Sequence, residues 1–98
     1  MKETTIEQLA PLLRTLRANS ALREIRPAVF HLDGRDFLHF HEEDAGIVAD
    51  VRLTTRFVRM PVSSETDQGE LLEQIDEHLD ALESRELDRQ RRGRRSGC

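Results

Sequence analysis

The stretch AVFHLDGRDFLHFHEEDAGIVADVRL, residues 28–53, decides the fold. Two apolar runs, 28–33 and 36–41, flank Asp33-Gly34-Arg35, and Asp-Gly between apolar runs is a hairpin signal. The turn EEDAG then leads into a third run, 47–53, and RFVRMPV, 56–62, reads as a fourth strand. Connections this short permit only an antiparallel meander.

Register fixes which residues share a face. Strand residues alternate sides, so His39 and His41 point one way and Leu38 and Phe40 the other. An odd loop at the first hairpin, with Gly34 in the left-handed conformation, places Phe30, Leu32, Leu38 and Phe40 on one apolar face. A two-residue loop would mix Phe30 with the histidines, so the odd loop is the expectation. His31, Phe37, His39 and His41 then line the opposite face. In the third strand Ile47, Ala49, Val51 and Leu53 match the apolar side, and pairing Phe40 with Ala49 sets His39 opposite Asp50. In the fourth, Val58, Met60 and Val62 face inward, and Phe57 and Arg59 face outward.

Two helices flank the strands. Ile6, Leu9, Leu12, Leu13 and Leu16 recur at helical spacing behind Thr4 and Thr5, which predicts a helix over about 5–18; Pro11 marks a kink or a late start. From Ser63 or Ser64, a cap followed by acids opens a long helix with the stripe Leu71, Leu72, Ile75, Leu79 and Leu82. Two amphipathic helices and a sheet with one apolar face give an α+β two-layer sandwich. Its order is α-β-β-β-β-α: a four-stranded antiparallel sheet with both helices on one face.

Charge divides the chain. Residues 1–83 carry 9 basic and 17 acidic side chains, whereas residues 84–98 carry 6 arginines and 2 acids. The sequence therefore predicts one domain over 1–83 and a basic, disordered tail over 84–98. An acidic body is unsuited to nucleic acid, so only the arginine-rich tail could touch phosphates. No apolar run approaches the roughly 18 residues of a membrane span, and no signal-peptide pattern opens the chain, so the expected location is cytoplasmic. The single cysteine, Cys98, can form no internal disulfide. Glycine-rich phosphate loops, Gly-x-Ser-x-Gly elbows and CxxC pairs are missing, which argues against a nucleophilic hydrolase.

The outward face is the candidate site. His39, His41 and Asp50 could pass protons near neutral pH as catalytic groups, and Phe37, Arg52 and Arg59 would bind substrate beside them. The same three residues could hold a divalent metal, although two imidazoles and a carboxylate are a short ligand set, and neither a metal nor a cofactor is expected. The plainer reading is a wet sheet face that tolerates histidine. Glu42, Glu43 and Asp44 read as a solvated turn, and His78 as a surface residue.

FLHFHEEDAGIVADVRL followed by FVRMPVSSETDQGELLEQI resembles the small bacterial relatives of the fungal luciferase domain, over about residues 29–82. His39 and His41 match that family's His-x-His pair, Gly46 its following turn, and residues 57–82 its strand-to-helix ending. The resemblance implies the α+β architecture and singles out the histidine pair; the fungal members oxidise a hydroxypyrone with oxygen. Two functions follow as expectations. One is an interaction or accessory domain contacting another protein or a second copy of itself. The alternative is a small-molecule or metal-binding enzyme, oxidoreductase-like, built on His39, His41 and Asp50. A two-layer domain this thin is expected to need a partner to enclose a small-molecule pocket of roughly 300 Å³.

Overall fold

The computed structural model of the chain describes residues 3–85 together with the backbone span of the last helix. Seven elements follow one another: α1 (Glu3–Ala18), β1 (Leu22–Arg26), β2 (Val29–Leu32), β3 (Arg35–Glu43), β4 (Gly46–Arg52), β5 (Phe57–Pro61) and α2 (Glu65–Ser96). They form an α+β fold with a single antiparallel sheet in the order β1-β2-β3-β4-β5. The sheet has five strands rather than the expected four. The added strand, LREIR, buries only Leu22 and leaves Ile25 exposed. Its apolar residues are three apart instead of two, so alternation could not reveal it. Arg17 fixes it to α1 by donating Nε and Nη2 to Glu24 at 2.7 and 3.0 Å.

α1 buries Leu9, Leu12, Leu13 and Leu16, and it starts early enough that Pro11 lies in its interior, on the exposed side. Ile6, expected in the stripe, is exposed, and Thr5 takes the buried position instead. Asn19 ends the helix: its Oδ1 accepts from the Ala21 amide and its carbonyl from the Leu22 amide. α2 opens with Ser64, whose Oγ accepts from the Asp67 amide at 3.1 Å. Leu71 and Ile75 are fully buried, and Leu72 and Leu79 pack at the margin. These helix residues join Phe30, Leu38, Phe40, Ala49 and Val51 in one core. Both helices thus bury their stripes against the same side of the sheet. The expected basic tail falls, from residue 86 on, outside the described side chains.

The first hairpin departs from expectation in two ways that offset each other. Leu32 pairs with Arg35, so the loop is the two-residue Asp33-Gly34 turn, with φ of 54° and 78°. Both residues are left-handed, as a type I′ turn requires. Two residues further along, Phe30 pairs with Leu38 while His31 pairs with Asp36. Phe37 is the extra residue of a β-bulge, and the side chains of Phe37 and Leu38 both turn inward, 2% and 0% exposed. The bulge restores the parity that an odd loop would have supplied. Residues 38–41 therefore face as expected, whereas Phe37 does not share the histidine face.

At the other end of the sheet Gly46 adopts φ of 140°, and an added Cβ there would collide with the Ser63 hydroxyl. Ser63 Oγ accepts from the Ile47 amide at 2.8 Å, which ties β4 to the entrance of α2. Val62 is buried and Met60 half-buried as expected. Val58 lies opposite Val51 but, on the edge strand, is 41% exposed.

Candidate metal centre on the open sheet face

β3 and β4 pair in the expected register, His39 with Asp50 and Phe40 with Ala49. On β4, residues 46–52 alternate strictly between half-buried and buried, which turns Asp50 outward. β5 then sets Arg59 opposite Asp50 and Phe57 opposite Arg52. Alternation along three neighbouring strands thus gathers the outward side chains into one patch.

Within the patch three ligand atoms converge. His39 Nδ1 is 2.8 Å from His41 Nε2, His41 Nε2 is 3.1 Å from Asp50 Oδ2, and His39 Nδ1 is 3.9 Å from the same oxygen. The side chains are 31% (His39), 44% (His41) and 15% (Asp50) exposed, so the cluster is open to solvent. The two rings meet edge to face, 84° apart. A nitrogen–nitrogen contact this short needs one imidazole to accept, so at least one ring presents a lone pair to the others.

Arg59 positions the carboxylate. It donates Nε to Asp50 Oδ1 at 3.1 Å and Nη2 to Oδ2 at 3.4 Å, and its Nη1 donates to Glu43 Oε1 at 3.1 Å. The Arg59 hydrogen bond is the first cause that holds the Asp50 carboxyl below the usual carboxylate range. Attraction to Arg59, then to His41 and His39, adds to it, and partial burial opposes it. The same contacts raise Arg59, with Asp50 the larger partner. Phe57 closes one flank, its ring 5.2 Å from that of His39, and the Arg52 guanidinium lies over the same ring, 4.8 Å from its centroid.

The expected site residues therefore divide. His39, His41, Asp50 and Arg59 form one connected group, and Arg52 reaches it only through Phe57. Phe37 does not belong to it: the bulge sends its ring to the helix side, where it stacks on His78 at 5.7 Å. His78 is accordingly half-buried rather than a plain surface residue. His31 shares the sheet face but stands apart from the cluster, its Nε2 2.7 Å from Asp36 Oδ1. Glu43, expected in a solvated turn, lies instead in a strand. It ends β3 on the same side as His39 and His41, and alternation counted two residues further would have placed it beside them.

No family model matches the chain, and no curated protein and no solved structure is significantly similar to it. No helix among the described residues is long and apolar enough to cross a membrane.

Proposed function

We propose that the chain is a divalent-metal-binding domain that holds one zinc-class ion between His39 Nδ1, His41 Nε2 and Asp50 Oδ2. The observation that carries this reading is the mutual spacing of those three atoms. Ligand atoms about 2.0–2.1 Å from a tetrahedral ion stand roughly 3.3 Å from one another. The separations of 2.8, 3.1 and 3.9 Å bracket that value without any backbone movement. Two imidazoles and a carboxylate are a donor set suited to zinc and its neighbours. Arg59 and Glu43 would orient the carboxylate from behind, as partners of metal ligands commonly do. The resemblance of residues 29–82 to the luciferase-like family points to the same histidine pair.

Three protein ligands leave the fourth position open. The ligands stand on a solvent-exposed sheet face, so that position is available to water or to a group from a docked molecule. Phe57, 38% exposed on the adjacent edge strand and on the same side as the histidines, favours a second reading in which this face also contacts a protein, either a partner or another copy.

Calorimetric titration of the chelator-treated protein with zinc tests the first reading. One ion per chain should bind, and His39→Ala and His41→Ala should each weaken binding by at least about tenfold while leaving the fold intact. Binding that persists in the double variant, or no saturable binding to the wild type, would falsify the proposal. Sedimentation of the same samples with and without zinc, and of Phe57→Ser, addresses the contact reading: a mass that never departs from the monomer removes self-association.

A further inference from the structure

A concave feature lies between α2 and the end of the sheet, apart from the histidine cluster. It is a cleft of about 650 Å³ between the β2–β3 turn, the β4–β5 loop and the second half of α2. That volume is within the range of small-molecule sites, about 300–1,000 Å³. The cleft is open to solvent along one side.

Its lining is unusual for an acidic chain. Arg35, Arg52 and Arg85 all contribute, against Asp33 and Asp36. Asp36 already has His31 Nε2 at 2.7 Å. Elsewhere Arg17 is matched by Glu24, and Arg59 by Asp50 and Glu43. None of the three cleft arginines has a carboxylate partner among the described residues. Arg52 rests instead on the Phe57 ring, and its Nε is shut off from solvent without an acceptor. A guanidinium braced by an aromatic ring keeps its charge and its fork of donors for an incoming anion.

The rest of the lining is apolar and flat. Phe37, turned here by the bulge, stacks on His78 with 20° between the ring planes, and Leu53 and Leu82 extend the surface. Bulges often re-aim a side chain beside a binding site. Thr54 and Thr55 supply hydroxyls at the mouth.

We propose that this cleft binds a small carboxylate with a planar apolar body. The carboxylate meets the arginines, and the body lies along His78, Leu53 and Leu82, over the buried Phe37 ring. A bare phosphate would use the charge and leave the apolar wall unfilled. None of His39, His41 and Asp50 lines the cleft; the Phe57 ring stands between His39 and Arg52.

The test is an NMR titration of the labelled full chain with sodium benzoate, alongside its neutral counterpart benzamide and inorganic phosphate. Benzoate should shift the Phe37, Thr54 and Thr55 amides and the Arg52 Nε–H saturably, more strongly than either control. Arg52→Gln and Arg85→Gln should each weaken it by about tenfold, the share of one charge-assisted hydrogen bond. Arg85 is exposed on α2, so its variant tests the idea even if Arg52→Gln disturbs packing. His41→Ala, whose ring does not stack on Phe57, should leave benzoate binding unchanged, whatever becomes of zinc binding. Equal binding of benzamide would overturn the carboxylate, and equal binding of phosphate the apolar wall. Unchanged affinity in Arg85→Gln and Arg52→Gln, or shifts that never saturate, would overturn the site.

Discussion

Asp50→Asn keeps the shape of the side chain at the centre of the histidine cluster and removes its charge. Asp50 is 15% exposed, and Arg59 donates to both of its oxygens. A hydrogen bond to a charged group contributes about 1.5–3 kcal/mol when shielded. An exposed ion pair contributes about 0.2–1 kcal/mol. Arg59 is 57% exposed, so the pair belongs near the lower range. A loss of about 1 kcal/mol is expected, or about 4–8 °C in Tm for a domain of this size. The dependence on pH is the sharper test. The folded carboxyl titrates lower than the unfolded one, so folding favours its ionised form. Its contribution is complete above the unfolded value of about 3.9 and is lost as pH falls through the lower folded value. Urea denaturation with a chelator present, from pH 7 to pH 3, should show a gap between wild type and Asp50→Asn that persists near neutrality and closes below about pH 4. A gap of the same size at pH 3, or none at pH 7, would refute the account of how Arg59 holds Asp50.

Two further substitutions test the fold. Phe40→Ala removes a large side chain, 6% exposed, from the core and should cost about 3–5 kcal/mol, close to the whole stability of a domain this small; an unchanged urea midpoint would mean that the inward face is wrongly assigned. Gly69→Ala, in the exposed first part of α2 where an added Cβ meets nothing within 4 Å, should gain about 0.5–1 kcal/mol and raise Tm by a few degrees, and a lower Tm would show that α2 does not run as a regular helix there.

Much of this architecture was legible because β3 and β4 alternate cleanly and are joined by a short turn. The pairing of His39 with Asp50 needed nothing beyond a count along two strands, and the caps of α2 followed from Ser64 and the acids behind it. β1 was hidden because an edge strand half in water needs no apolar alternation, and because Pro27 and Ala28, the latter at φ of 63°, do not advertise a hairpin. The bulge was hidden for another reason. Phe37-Leu38 reads equally well as two faces of a regular strand, and only the covering by α2 draws both inward. Loop parity was misjudged on sound grounds: the apolar faces had to match, and an odd loop was the simplest way to match them. The protein instead uses a tight even turn and an extra residue downstream. The ligand triangle was anticipated as a group of residues, whereas its distances, and the role of Glu43 behind Arg59, depend on rotamers that no sequence pattern encodes.

The bulge at Phe37 also bears on how this chain could vary in length during descent. With a two-residue turn, a regular ladder would place Phe37 opposite Phe30 and invert everything after it, driving His39 and His41 into the core. Taking Phe37 up as a bulge prevents that inversion. Removal of Phe37 would leave Leu38 opposite Phe30, so a version of the chain one residue shorter would retain the outward histidines and lose only the ring that stacks on His78. A change of one residue in length at this point is thus compatible with the outward face of β3 and is felt only on the helix side.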